Sequence, residues 1–334
     1  MAQKNLLEIN ECGIYCPQAD VYIDPWKPVD SAIITHAHSD HARPGSRKYM
    51  AHEDSEAILK LRLGQDIQLE TTDYYTPHTI NSVRISFHPA GHITGSAQIR
   101  LEYKGEIWVV SGDYKTEGDS TCAPFEPVRC HTFITESTFG LPVFKWQPQE
   151  EVFREVNKWW KENAAMGKTS ILCGYALGKA QRILASVDPE IGKIFVHGAV
   201  ANVNAALQQN GLKLPPVTYA GPDIPRKEYP GSLVVAPPSA LNTSWMRKFS
   251  PYSTAMASGW MNTRGTRRRR AVDKGFVLSD HADWQGLNQA VKETGCERVL
   301  VTHGYTAVFS RWLQEQGLNA QEVQTLYNEE LEEI

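Results

Sequence analysis

No apolar run on the order of eighteen residues occurs in this chain, so no segment is long enough to span a bilayer as a helix. The opening stretch, MAQKNLLEINECG, lacks the apolar core and small-residue cleavage site of a secretory signal. There is no CxxC pair. The six cysteines (Cys12, Cys16, Cys122, Cys130, Cys173 and Cys296) are scattered, and Cys12 and Cys16, four apart, have no second half to complete a metal hairpin. A charge-rich tail is missing too, and 34 basic against 38 acidic residues give a net charge of −4. That balance excludes a uniformly basic coat for nucleic acid but not a local basic groove. These absences predict a soluble, reduced, cytoplasmic protein.

What is present suits a large core. The chain has 334 residues, of which 41% are hydrophobic and 10% aromatic, enough for one large or two medium domains. Several short β-branched runs end in a residue able to bind metal or move a proton. SAIITHAH runs into His36 and His38, EIWVVSGD ends at Asp113 and HTFITES reaches Glu136. GFVLSDH ends at His281, RVLVTH at His303, and VRISFHPAGH turns through Pro-Ala-Gly before His92. Runs of this kind read as buried strands that present functional groups at their ends. Between them, SEAILKLRL, EEVFREVNKWWKENAAMG, LGKAQRILASV, VNAALQQNG and DWQGLNQAVKETG carry helical spacing, so the class is α/β. From about Gly140 to Lys274 Pro-rich links appear and metal-type residues thin out, which predicts one domain inserted into another. The expected division is 1–140 and 275–334 for the host and 141–274 for the insert.

The densest constellation is ITHAHSDHARPG, with His36, His38, Asp40 and His41 inside one short stretch. If the backbone after Thr35 is extended, His36, His38 and Asp40 point to one side and His41 to another. The pairs His36/His38 and Asp40/His41 then serve two ions. His92 completes the first set, His303 the second, and Asp113, with two oxygens, bridges both. Imidazole with carboxylate suits zinc, and manganese or iron less selectively.

With these residues in view, the chain resembles the metallo-β-lactamase superfamily through HxHxDH, AGHITGS and SGDY. It resembles the β-CASP nucleases in particular, with Glu136 in TESTFG at their motif A, His281 in LSDHADW at motif B and His303 in VTHG at motif C. YALGKAQRIL and ASGWM are similar to the inserted β-CASP domain. CGIYCPQADVYIDPW and the short overall length are similar to bacterial ligase-associated DNA exonucleases. The resemblance implies an αββα sandwich with an α/β insert and two divalent ions, zinc or manganese. It further implies a hydroxide between the ions that attacks phosphorus in line, a contribution to catalysis from Asp40, and His281 as general acid oriented by Glu136.

The implied function is a DNA exonuclease in repair or end processing, associated with a ligase and a helicase. An RNA-processing β-CASP ribonuclease is the alternative, because His303 at motif C departs from the eukaryotic DNA-processing branch. The whole-chain likeness to the bacterial DNA exonucleases, with no appended RNA-binding module expected, favours DNA. A non-catalytic scaffold of the same fold is the third reading, set against it by a full complement of ligands, acid and orienting residue. For nucleic-acid contacts the candidates are Arg264, Arg267, Arg268, Arg269, Arg270 and Lys179, with Lys145, Arg182 and a stacking Trp260 behind them. GYALGK is one residue short of a P-loop and has Ala180 where a hydroxyl is needed. His52, His78, His88, His131 and His197 fit neither ligand set.

Overall fold

The computed structural model of the chain describes residues 5–263, 265 and 271–325. It is a mixed α/β structure with three sheets, divided into two compact units. One unit takes the chain up to Lys145 and again from His281; the other is Trp146–Asp280.

The first unit opens with a six-stranded sheet ordered β1 (Glu8–Asn10), β2 (Gly13–Cys16), β3 (Val21–Ile23), β4 (Ser31–Ile33), β5 (Lys48–His52) and β6 (Leu69–Thr72), with helix α1 (Glu56–Leu63) between its last two strands. The first three strands are antiparallel and the rest continue in parallel. A second sheet follows as the antiparallel run β7 (His78–Ile80), β8 (Val83–Pro89), β9 (Ala97–Tyr103) and β10 (Glu106–Val110), to which β11 (Thr132–Ser137) adds in parallel. Ile14, Ile23 and Ile33 of the first sheet share one core with Ile85, Phe87, Leu101, Trp108 and Val110 of the second. Alternation along β10 sends Trp108 and Val110 into that core and Val109 to the other face.

The second unit holds α2 (Gln149–Ala165), β12 (Thr169–Cys173), α3 (Lys179–Ser186), β13 (Ile194–Val196), α4 (Gly198–Gln209), β14 (Thr218–Tyr219), β15 (Leu233–Ala236), β16 (Tyr252–Ala257) and β17 (Lys274–Phe276). Its strands are all parallel, ordered β14-β13-β15-β12-β16-β17. Near-continuous apolar runs such as LVVA are required because both faces are covered: Leu233 and Val235 pack one side, Val234 and Ala236 the other. In α2, Val152, Phe153, Val156, Trp159 and Trp160 recur at helical spacing on the buried face, and Gly167 at φ 66° follows its end. Strand β17 starts at Lys274, where the sequence suggested a boundary, and belongs to this sheet.

The chain then returns to the first unit. Helix α5 (Trp284–Thr294) is capped by the Asp283 carboxylate, which accepts from Gly286 N, and ends on left-handed Gly295. Strand β18 (Arg298–Gly304) pairs in parallel with β11, and after α6 (Thr306–Glu315) β19 (Asn319–Glu322) forms the edge. Leu287, Val291, Phe309 and Leu313 of the two helices cover Val109, Phe133, Val299 and Val301 on the outer face of the second sheet. Helix α6 was not anticipated from the sequence. All six cysteines are free thiols. No helix among the described residues is long and apolar enough to cross a membrane.

Candidate metal centre

Strand β4 stops at Ile33, and the ligand-rich segment beyond it is irregular. It has no regular structure up to His38. There the backbone turns, with His41 N and Ala42 N both donating to His38 O, at 3.2 and 2.8 Å. The strand-like alternation expected through Asp40 therefore does not occur. A turn, not a pleat, separates His36 and His38 from Asp40 and His41.

The other ligands come from ends of the second sheet. His92 follows β8 on a turn where Gly91 has φ 74° and a Cβ would meet Lys115 O at 2.3 Å. Asp113 follows β10 through Gly112, at φ 57°, where a Cβ would lie 2.6 Å from Thr35 Oγ1. Only glycine lets these loops approach so closely. His303 sits in β18 at φ 60°, an uncommon backbone for a residue with a side chain. Gly304 follows at φ 83°, where a Cβ would come 2.4 Å from Ser137 O.

Among the described residues three groups of potential ligand atoms result: His36 with His38, His92 and Asp113; Asp40 with His41 and His303; and Asp113 with Glu136 and His281. Asp113 stands between the first two. Its Oδ2 is 3.4 Å from His36 Nε2, 3.5 Å from His41 Nε2 and 3.9 Å from His92 Nε2. Its Oδ1 is 3.8 Å from His303 Nδ1. The ring nitrogens of His38 and His92 lie 3.0 Å apart, and His41 Nε2 is 3.5 Å from Asp40 Oδ2. All seven residues of the first two groups are buried. Burial pushes the Asp113 carboxyl up to about 8, against the pull of His41 and His281. It also drives His36 well below the ordinary histidine range, reinforced by His41, His92 and His38. His41 is held well above that range, because Asp40, Asp113 and Asp24 outweigh its burial.

These donors fit a pair of divalent cations. His36 Nε2 and Asp113 Oδ1 are buried and make no hydrogen bond, an arrangement that costs free energy unless a cation takes the lone pairs. An imidazole-rich set with carboxylates is donor chemistry able to hold divalent metal.

Asp24, absent from the sequence-derived candidates, supports the centre from behind. Its carboxylate lies 2.7 Å from His41 Nδ1 and accepts from Thr35 N at 2.7 Å and Thr35 Oγ1 at 2.5 Å. Thr35 Oγ1 in turn is 3.1 Å from His36 Nδ1. Carboxylate partners of this kind fix the ring orientation of ligand histidines.

Beside the ligands, His281 Nδ1 lies 3.0 Å from each oxygen of Glu136, and its ring centroid is 4.7 Å from that of His92. Glu136 sits at a register shift of β11 against β18 and also accepts from Tyr114 N at 2.8 Å and Thr138 Oγ1 at 2.5 Å. Burial pushes its carboxyl up, but His281 and these hydrogen bonds together hold it below the usual range.

The nucleic-acid candidates fare differently. Arg264, Arg267, Arg268, Arg269 and Arg270 lie outside the described residues. Lys179, a candidate for phosphate contact, is 3% exposed and 3.0 Å from Asp280 within its own unit. Its ammonium faces that carboxylate. Arg182 is buried likewise, bonded to Ser279 O and Gln149 Oε1 and 3.2 Å from Asp280 Oδ1. Trp260 is half-buried in a short 3-10 turn. His197 caps α4 by accepting from Ala199 N, His131 accepts from Ile107 N, and His52 is buried against Tyr74; none joins a ligand set.

No family model matches the chain. A protein named "Probable DNA ligase" from Opitutus terrae is 30% identical over 311 residues, covering 92% of this chain and 30% of the ligase. An "Endoribonuclease YSH1" from Gibberella zeae is 31% identical over 203 residues, 49% of this chain and 24% of that protein. An "RNase J-like protein" from Methanocaldococcus jannaschii is 28% identical over 201 residues, 53% of this chain and 48% of that one. The chain thus spans less than half the length of these curated relatives. Among solved structures, a protein of unknown function from Enterococcus faecalis shares the fold at a TM-score of 0.59 and 12% identity, over 90% of this chain and 80% of that one.

Proposed function

This chain belongs to the β-CASP metallo-β-lactamase family, and on that premise we propose that it is a nuclease that hydrolyses phosphodiester bonds at DNA ends with two divalent cations. The observation that carries this reading is the Asp113 carboxylate, within 3.9 Å of ligand atoms from His36, His41, His92 and His303. On this reading the fold is an αββα sandwich that carries the parallel-sheet unit as an insert. His36, His38, His92 and Asp113 would hold one cation, and Asp40, His41, Asp113 and His303 the other, zinc first and manganese second. Two such ions supply Lewis acidity toward the phosphodiester and a nucleophile at neutral pH.

The chain's own residues do the rest. Glu136 holds His281 by Nδ1, which leaves Nε2 to deliver a proton to the departing oxygen. General acid catalysis of this kind is worth about 10²–10⁴-fold. Asp24 and Thr35 keep His41 and His36 oriented. Exclusion of water by the buried ligand loops strengthens each of these interactions.

DNA is favoured by the alignment of nearly the whole chain with part of a protein named as a DNA ligase. A functional association with a ligase and a helicase, and work in the cytoplasm, belong to the same reading. RNA is the second reading, supported by His303 and by the endoribonuclease relatives. Matched single-stranded DNA and RNA of one sequence, labelled at the 5′ end, test the choice, with His281→Ala run beside the wild type. Stepwise loss of DNA alone, absent in the variant, is expected. Preferential cleavage of RNA would transfer the protein to RNA processing, and no cleavage of either would return it to the scaffold reading.

A further inference from the structure

Lys115 and Asp119 follow the bridging Asp113 in its loop and belong to neither ligand set. Both side chains are sealed from solvent, at 1% and 4% exposure, with Lys115 Nζ 2.9 Å from Asp119 Oδ2. A buried ion pair is seldom the most stable filling for its volume, and apolar side chains would pack the same space as well. Its position within the loop suggests what it does. The loop grips the turn that carries His92 from two sides. On one side Lys115 N donates to Ala90 O at 3.1 Å, and Lys115 O lies where a Cβ on Gly91 would come 2.3 Å away. On the other side Cys122 Sγ is 3.4 Å from Gly91 O, and Thr94 Oγ1 donates to Thr121 O at 2.7 Å. Asp119 joins the two sides: one oxygen takes Lys115, the other accepts from Thr121 N at 2.9 Å and Thr121 Oγ1 at 2.6 Å.

We propose that the Lys115–Asp119 pair is a positioning brace for the cation centre, closing the 113–122 loop around the His92 turn so that Asp113 and His92 meet in register. The inference rests on the reading of Asp113 and His92 as ligands. Removing either partner leaves a buried charge without its counterpart and loosens the grip. Replacing both with apolar residues removes the charge problem but not the loss of the brace.

The test strips the full-length protein of metal and titrates it with cobalt(II), following visible absorption and bound metal, with thermal melting alongside. Lys115→Met and Asp119→Asn are each expected to weaken cation binding about 10–100-fold, the range for partners that orient ligands, and to alter the cobalt spectrum. In the double variant Lys115→Met with Asp119→Leu, melting temperature should recover while affinity and spectrum stay altered. Recovery of affinity and spectrum together with melting temperature would overturn the proposal, because the pair would then be structural only. Single variants with wild-type affinity and spectrum would overturn it equally. A wild type that takes up no cobalt would instead remove the cation reading, and the brace with it.

Discussion

Each unit buries a polar cluster, and the two differ in kind. In the parallel-sheet unit, Lys179 and Arg182 project from the first turns of α3 onto Asp280, cation against anion. In the other unit, five imidazoles and two carboxylates bring lone-pair atoms to two adjacent points. The first cluster sets two cations against one carboxylate, opposite charges in direct contact. The second gathers potential ligand atoms, and two of them, His36 Nε2 and Asp113 Oδ1, are buried without a hydrogen bond. The signs of the groups in a buried polar cluster therefore distinguish a strut from a ligand site better than burial does.

The sharpest way to break this contrast is at the bridge. Asp113→Asn should lower occupancy of both cations, read as metal bound per chain, and reduce turnover beyond the effect of any single auxiliary residue. Loss of one cation alone would show that the carboxylate is not shared. Next in size, His281→Ala should keep both cations and lose about 10²–10⁴-fold in kcat. Normal turnover would remove the assigned acid.

Gly112→Ala probes the backbone that delivers Asp113. A Cβ at φ 57° would lie 2.6 Å from Thr35 Oγ1, so we expect about 1–3 kcal/mol of destabilisation together with weaker cation binding. Unchanged affinity in a denaturant and metal titration would show that the turn has slack. The smallest effect on the centre is expected from the other cluster. Lys179→Met should cost about 1–3 kcal/mol in stability and leave the metal content unchanged. A drop in bound metal would erase the distinction between the two clusters.

Much of this was legible in the sequence, for identifiable reasons. Candidate metal ligands announce themselves by residue type, and His36, His38, Asp40 and His41 lie side by side, while His92, Asp113 and His303 stand behind recognisable β-branched runs. Glu136 and His281 were legible through motifs rather than periodicity. The turn at His38 was not, because HxHxDH fits a pleat as well as a bend until Ala42 N bonds to His38 O. Asp24 was hidden for another reason: it is a lone acid in a connecting segment at φ 43°, and its partner His41 is distant in sequence. The pairing of Lys179 with Asp280 was not legible because Asp280 comes from the far end of the same unit. Helix α6 was missed because Phe309 and Leu313 alone mark its buried face most clearly.

The measurement that bears most directly on the central claim is the metal content of the purified full-length protein, determined before and after chelation and on reconstitution with zinc or manganese. Two cations per chain, lost on chelation and restored together with phosphodiesterase activity, is the predicted result. Activity that survives complete removal of metal, or a chain that binds none on reconstitution, would contradict it.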